Sequence, residues 1–420
     1  MRRRDFLKLT AWAGVAGTSS LAGAAGSLPV KARVVIVGGG FGGSSCALQL
    51  RRLDPTIEVS LIDPDERYVT CPMSNEALIG LRPMDSITVS RDGLRRAGVR
   101  FVRARVDAID TQKRIVRLDD GASLAYDKLV VAPGIRFLWG TPHGYDEAAA
   151  ERMPHAWKAG RQTGILAAQL RAMDNGGVVA ISVPAGLMRC PPGPYERASL
   201  IAHSLKQHKP RCKILIFDAN NRFPRQDVFT DAWNEFYPGM IEWIPVVQGG
   251  AVERIDTRTS TLHTAQGAQR VAVANIIPPQ APDLLALTAG LATGHGWCPV
   301  NPSTFESQLR EHIHVIGDAC IADAMPKSAS SAQAQAVQCA AAIVAALAQR
   351  EAPEPSFESV CYSLLTPDSA LAIHGRFGLR EGQIRELDEN AASEAVSPAD
   401  EAKLAGRWYA RIRKESFGET

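Results

Sequence analysis

Residues 34–50 read VVIVGGGFGGSSCALQL, an apolar run that ends in Gly38-x-Gly40-x-x-Gly43 and passes straight into a helical pattern. Gly38 permits a tight turn, Gly40 lets backbone approach a pyrophosphate, and Gly43 lets helix pack on strand. The helix N-terminus then meets the phosphate charge. The next apolar run, residues 57–62, ends in Asp63, twenty residues past Gly43, where an acid binds a ribose hydroxyl of an adenosine. Strand, turn, helix and acid together predict a dinucleotide-binding βαβ unit; the bland alternative is a glycine-rich turn with no ligand.

At 420 residues and 45% hydrophobic content the chain can bury large cores and divides into two or three domains. Its net charge of +3 comes from 47 basic and 44 acidic residues spread along the whole length, so no nucleic-acid partner is expected. The first 29 residues differ. Arg2, Arg3, Arg4, Asp5, Phe6, Leu7 and Lys8 precede an Ala/Gly/Val-rich stretch, the pattern of an export signal. The Arg3–Arg4 pair resembles the twin-arginine type, which carries folded, cofactor-loaded proteins across a bacterial inner membrane; an amphipathic anchor is the alternative. No later run is long enough to span a bilayer, so a periplasmic mature chain without an integral membrane segment is expected. The eight cysteines include no CxxC and no CxxCH. Neither a thioredoxin-type site nor an attached c-type haem is expected, and any haem belongs to a partner. No metal site is identified.

The organisation is α/β: two Rossmann-like dinucleotide-binding domains of the disulfide-reductase type, then a C-terminal α+β region. Residues 30–145 and 265–350 are assigned to the first domain, 146–264 to the second, and 351–420 to the third. Residues 126–134 (YDKLVVAPG), ending in Gly134, read as a buried strand of the first domain. Strand signals at 178–183 and 213–217 flank a helix at 195–208 and make a second βαβ unit. Its turn runs from Val183 through Pro184, Ala185 and Gly186 to Cys190 without GxGxxG, so a nicotinamide dinucleotide is not expected there. The chain is expected to return to the first domain with residues 271–277 and 313–318. A strand ending in Gly317-Asp318 presents a carboxylate to the ribityl chain of FAD in two-dinucleotide flavoproteins. The alanine-rich helix that follows would point its positive end at the flavin. A helix or turn cap is the alternative for Asp318.

The chain resembles the flavoprotein subunit of flavocytochrome c sulfide dehydrogenase, a relative of sulfide:quinone oxidoreductase. The likeness rests on residues 68–76 (YVTCPMSNE), 189–199 (RCPPGPYERAS), 317–320 (GDAC), 325–328 (MPKS) and 361–363 (CYS). It implies that Cys71 forms a thioether to FAD and that Cys190 and Cys361 form a redox-active disulfide beside the flavin. Trp408 would pack near the ring, and Gly134, Gly317 and Lys327 would join the cofactor site. It further implies sulfide as substrate and a c-type cytochrome subunit as electron acceptor. Read locally, Cys71 could be a small buried thiol, and Cys190 with Cys361 an inert disulfide or two unrelated thiols. Cys190 sits near a helix N-terminus, where a thiolate is favoured. Glu196, in the first turn of that helix, suits both the helix dipole and proton transfer to sulfur. Cys298 and Cys320 are given structural roles; Cys46, Cys212 and Cys339 fall where the family is not expected to have cysteines.

The expected reaction is sulfide oxidation to zero-valent sulfur or polysulfide, begun by hydrosulfide attack on the Cys190–Cys361 disulfide. Three alternatives stand beside it: a sulfide:quinone oxidoreductase, an NAD(P)H-dependent disulfide reductase, and a non-catalytic flavoprotein partner of a sulfur-oxidising complex.

Overall fold

A computed structural model describes residues 30–292, 294, 296–387 and 397–419. The expected export signal lies outside these residues. Val34, Val35 and Ile36 are almost wholly buried, as a strand covered on both faces requires. Their strand, Ala32–Val37, pairs in parallel with Ile57–Ile62 on one side and Lys128–Val131 on the other. Ile313–Val315 and Arg100–Val102 complete a five-stranded parallel sheet. Helices Phe41–Leu53 and Ala329–Leu347 pack against one another, so the glycine-turn helix and the alanine-rich helix share one core.

A second parallel sheet runs in the order Ile241–Ile244, Lys213–Asp218, Val178–Val183, Val273–Ile276. The sequence reading returned the chain to the first domain at residue 265, and the structure moves that return later. Val273–Ile276 pairs with Val179, Ala180, Ile181 and Ser182 as the edge strand of the second sheet. A short apolar run carries no mark of which parallel sheet it joins, because both bury their strands on two faces. Beyond Ile277 the chain crosses back, and Gln280–Pro282 pairs antiparallel with Ile135–Phe137 between the two units.

Strands Ser356–Thr366, Ser369–Arg380 and Gln383–Glu386 form an antiparallel sheet, and helix Pro398–Phe417 follows. Ser397 caps that helix through the Asp400 N–H, with Pro398 at its first position. Its Tyr409 hydroxyl lies 2.7 Å from the Thr70 hydroxyl, which anchors the third region to the segment carrying Cys71. Among the described residues no helix is long and apolar enough to cross a membrane.

Candidate functional site

The three regions enclose a cavity of about 730 Å³. Its lining includes Gly38, Gly40, Asp63, Cys71, Gly134, Gly317, Asp318 and Trp408, and also Cys190, Glu196 and Cys361. Gly43 and Lys327 are absent from it.

At one end lies the glycine turn. A Cβ at Gly38 would sit 2.2 Å from the Ala132 carbonyl oxygen, and one at Gly43 would sit 1.9 Å from that of Gly38. Packing within the protein therefore accounts for both glycines. At Gly40 the nearest atoms a Cβ would meet belong to Tyr68, its hydroxyl at 3.6 Å and its ring at 3.8 Å, so its own chain does not demand glycine there. Gly40 is also the N-cap of helix Phe41–Leu53, which has no side-chain cap and no acid in its first turn. Backbone N–H groups facing a cavity, with room kept beside them, suit an anionic group such as a pyrophosphate. Asp63 closes this end: its carboxylate accepts from the Gly39 N–H at 2.6 Å and from the Asp65 N–H at 2.9 Å. It also pairs with the fully buried Arg91 at 3.2 Å. Sequence reasoning missed Arg91, which carries no motif.

Cys71 and Asp318 also line the cavity. Cys71 stands between strand Arg67–Val69 and helix Ser74–Leu78. Burial raises the Asp318 carboxyl, while the nearby cations of Arg189 and Lys327 oppose the shift. Lys327 was expected to touch a cofactor. In this structure its ammonium donates to the carbonyls of Asp318 and Cys320, at 2.8 and 2.9 Å, and lies 3.9 Å from the centroid of the Trp297 ring. It holds the Asp318 turn in place and supports the site from behind. Trp408 packs on Tyr362 with ring centroids 5.7 Å apart, so one face of the indole serves the core while the residue also lines the cavity.

At the far end the two thiol-bearing segments converge. Cys190 has left-handed backbone, φ 52°, which is uncommon for a residue with a Cβ. Two backbone hydrogen bonds hold it: its N–H donates to the Lys327 carbonyl at 2.8 Å, and its carbonyl accepts from the Gly193 N–H at 2.9 Å. Cys361 enters from strand Ser356–Thr366. Both sulfurs are unbonded thiols in this structure. The expectation of a favoured thiolate at Cys190 does not hold in this form. Burial pushes the thiol well above its ordinary range, Cys361 and Glu196 push the same way, and Arg189 opposes them. Desolvation outweighs the helix terminus because the thiolate would lie deep in the cavity wall. Burial likewise raises Cys361, against a hydrogen bond from Ser328.

Glu196 joins these segments. One carboxylate oxygen accepts from the Asn75 side-chain amide at 2.8 Å and the other from the Leu364 N–H at 3.1 Å. Burial nevertheless lifts the carboxyl to about 7, where it can exchange a proton near neutrality. Asn75, Arg197 and Asn275 form the buried network behind it, and sequence reasoning missed all three. Asn75 was within reach, lying in the same segment as Cys71, as was Arg197, next to Glu196. Cys298 and Cys320 lie away from this end, fully buried and neighbours across an isolated parallel bridge.

Comparisons with known proteins bear on the family and the fold. The family described as sulfide dehydrogenase [flavocytochrome c] flavoprotein chain, central, matches residues 163–278. The flavocytochrome c sulphide dehydrogenase flavin-binding family matches residues 353–417, and the pyridine nucleotide-disulphide oxidoreductase family matches residues 32–155. A sulfide dehydrogenase [flavocytochrome c] flavoprotein chain of Chlorobaculum thiosulfatiphilum is 63% identical over 43 residues, which cover 10% of this chain and 90% of that sequence. The sulfide-quinone reductase of Aquifex aeolicus is 28% identical over 184 residues, 43% of this chain and 41% of that protein. The crystal structure of the Aquifex aeolicus sulfide:quinone oxidoreductase superposes with a TM-score of 0.72 at 19% identity, covering 92% of this chain and 93% of that one. That likeness shows the fold: paired Rossmann-like units of the disulfide-reductase type.

Proposed function

Because this chain belongs to the flavoprotein chains of flavocytochrome c sulfide dehydrogenase, we propose that it oxidises sulfide to zero-valent sulfur or polysulfide at Cys190 and Cys361. The proposed electron acceptor is a c-type cytochrome subunit. The observation that carries this reading is the meeting of two thiols, from separate domains, on the wall of the cavity that begins at the glycine turn. The turn at Gly38 and Gly40, the uncapped helix behind it, Asp63 and Asp318 fit an FAD laid along the cavity. Cys71 lies on the cavity wall where a covalent tether could form. The oxidised pair is the form that hydrosulfide attacks: the Cys190–Cys361 bond breaks, a new sulfur–sulfur bond forms to one cysteine, and the other leaves as a thiolate. Re-forming the disulfide from this persulfide and thiolate expels zero-valent sulfur, one proton and two electrons. Glu196 is placed to take the proton. FAD, when bound, supplies the two-electron acceptor that can pass electrons singly to a haem. Export to the periplasm by residues 1–29 completes the reading, since a tethered cofactor suits a compartment where lost FAD is not readily replaced.

A quinone acceptor is the second reading, favoured by the likeness to sulfide:quinone oxidoreductase. NAD(P)H is disfavoured because proline and cysteine occupy the second turn.

The test is a visible spectrum of the complex purified from the periplasm, before and after sulfide. The expected result is bleaching of flavin followed by reduction of a co-purifying c-type haem. Flavin that stays oxidised in sulfide while dithionite reduces it would overturn the proposal. Reduction of added quinone, with no response from the cytochrome, would move it to the second reading. Acid denaturation checks the tether separately: flavin should remain on the wild-type chain and leave Cys71→Ser.

A further inference from the structure

We propose that Asn75 is a positioning residue for sulfide oxidation, holding the Glu196 carboxyl in one orientation against both cysteine-bearing segments. The inference rests on the reading of Glu196 as the group that takes the proton.

Asn75 is buried in helix Ser74–Leu78, a few residues beyond Cys71. Its side-chain oxygen accepts from Arg197 Nε at 2.9 Å, so its amide nitrogen must face Glu196, at 2.8 Å. The opposite amide orientation would set N–H groups against a guanidinium, which has no acceptor. Arg197 cannot yield, because it also donates to the carbonyls of His155 and Ala156, at 3.2 and 2.7 Å, and to Asn275 Oδ1 at 2.8 Å. Asn275 is fixed in turn by donating to the carbonyls of Pro154 and His155, at 2.8 and 2.7 Å. An unbroken chain of hydrogen bonds therefore runs from the edge strand of the second sheet to one oxygen of Glu196. The other oxygen is held by the Leu364 N–H, three residues past Cys361 on the same strand.

The geometry has a chemical consequence. Two donors favour the carboxylate and burial favours the acid, so the carboxyl is balanced to accept a proton when sulfur departs and to return it afterwards. The charged and titratable groups around it come from every packed element. Glu76 lies on the Asn75 helix and is paired with Arg82 at 2.7 Å; Arg197 and Cys190 belong to Glu196's own segment; Cys361 lies on the facing strand. Of the two donors only Asn75 is a side chain, so substitution can remove it without touching the backbone.

The experiment follows flavin reduction by sulfide in the holoenzyme across pH, for wild type, Glu196→Gln, Asn75→Ala and Asn75→Asp. Flavin content and dithionite reduction are the controls. Hydrosulfide's own titration is common to all four proteins, so the informative quantity is the break that Glu196→Gln removes. In Asn75→Ala that break should move up by about one pH unit or more, the effect of losing one charge-assisted hydrogen bond. Asn75→Asp keeps an acceptor for Arg197 but turns an acceptor toward Glu196, so its break should move further. A break that survives in Glu196→Gln sinks the reading of Glu196 itself. A break lost in Glu196→Gln but unmoved in both Asn75 variants sinks only the role of Asn75. If neither Asn75 variant retains flavin, the unsubstituted holoenzyme decides. The Asn75 side-chain amide resonance, observed after selective ¹⁵N-asparagine labelling, should titrate with the midpoint of the Glu196 break, and a resonance flat through neutral pH overturns the inference.

Discussion

The two βαβ units have the same order of elements, yet the acid of one faces a ligand-sized cavity and the acid of the other is fully engaged by the protein. Each second strand ends in an acid. Asp63 keeps 15% of its side chain exposed, lines the cavity and answers the Gly39 N–H. Asp218 is wholly buried. One of its oxygens accepts from the Tyr195 hydroxyl at 2.6 Å and Trp243 Nε1 at 2.9 Å, and the other from Asn220 N and Nδ2, both at 2.9 Å. Asn220 also donates to the Pro184 carbonyl at 3.0 Å, which ties the acid to the turn itself. A carboxylate with four protein donors has little capacity left for a ribose hydroxyl. With its dinucleotide role closed, the second turn is free to carry a thiol, and Cys190 stands there. The topological position sets where a ligand can bind, while side chains decide whether it does.

The largest effect expected from this contrast lies at the thiol. Cys190→Ser and Cys361→Ser should each lower the rate of flavin reduction by sulfide by about a thousandfold or more, since each removes a nucleophilic centre. Dithionite reduction should persist. Cys298→Ser and Cys320→Ser should leave sulfide oxidation intact provided FAD loads. The comparison breaks if either of these controls abolishes sulfide-driven bleaching while the Cys190 and Cys361 variants retain it.

Next in size are the turn glycines. Gly43→Ala forces a Cβ to within 1.9 Å of a carbonyl oxygen, and unfolding by denaturant should show a loss of several kcal/mol or failure to fold. In the second unit, Gly186 has a positive φ, 83°, but no neighbour within 4 Å of an added Cβ, so Gly186→Ala should cost only about 1 kcal/mol. Gly40→Ala separates packing from ligand: thermal stability of the flavin-free chain should hardly change while FAD retention in the non-covalent Cys71→Ser background falls. Equal losses at Gly40 and Gly186 in both measurements would show that the two turns are not functionally different.

The acids follow. Asp218→Asn weakens charge-assisted hydrogen bonds in a sealed site and should cost about 3 kcal/mol in denaturant unfolding, with the flavin spectrum unchanged. Asp63→Asn should cost less stability and release flavin more readily, as filtration of the non-covalent Cys71→Ser background would reveal. Asp318→Ala should also loosen or shift the flavin, more than the exposed Asp400→Ala does. Parallel behaviour of Asp63 and Asp218 would erase the distinction drawn between the units.

Legibility in the sequence followed the range of the interactions. The glycine turn, Asp63 and the helix that follows were readable because one contiguous segment carries their whole logic. The second unit was readable for the same reason: strand Val178–Val183 and helix Gly193–His208 lie where the pattern predicted. Cys361 could be placed beside Cys190 only through family resemblance, because nothing local joins a strand of the third region to a turn of the second. Strand Val273–Ile276 was given to the wrong sheet because hydrophobic periodicity does not encode partners. Lys327 entered through the family resemblance alone, and its local sequence gave no sign that two carbonyls and an indole would engage its ammonium. The network at Asn75 escaped because its members lie more than a hundred residues apart from Glu196's helix to Cys71's segment, each polar residue unremarkable alone. Even the readable thiol at Cys190 was given the wrong charge preference, since depth of burial has no sequence signature.

The smallest effect concerns acid stability and compares two buried histidines, one in each half. His314 lies on edge strand Ile313–Val315 of the first sheet, where burial depresses it to about 4. Its Nδ1 lies 2.9 Å from the Thr304 carbonyl, which fixes that nitrogen as the donor of the neutral ring. His155 packs against the second unit, depressed to about 3 by burial, with the Arg197 cation adding to the shift. Its Nδ1 accepts from the Trp157 N–H at 2.9 Å, so the other nitrogen carries its proton. Both rings are neutral in the folded protein down to those values, whereas the unfolded chain protonates each near pH 6.5. The unfolded state therefore binds more protons as pH falls below 6.5, and each histidine should withdraw up to about 2 kcal/mol of stability between pH 7 and pH 5. Glu196 works in the opposite direction. Its folded value of about 7 lies above the ordinary 4.5, so it costs stability at neutral pH that is recovered as pH falls toward 4.5. The net slope is thus a difference, and variants must isolate its parts. Urea midpoints at pH 7 and pH 5 should draw closer together in His314→Gln and in His155→Gln, by similar amounts. In the non-covalent Cys71→Ser background, flavin retention should be unaffected by His314→Gln but reduced by His155→Gln, because the His155 backbone segment holds Arg197 and the ring centroid lies 4.4 Å from that of Phe137. If both variants keep the wild-type pH dependence, these histidines do not set the acid dependence of stability.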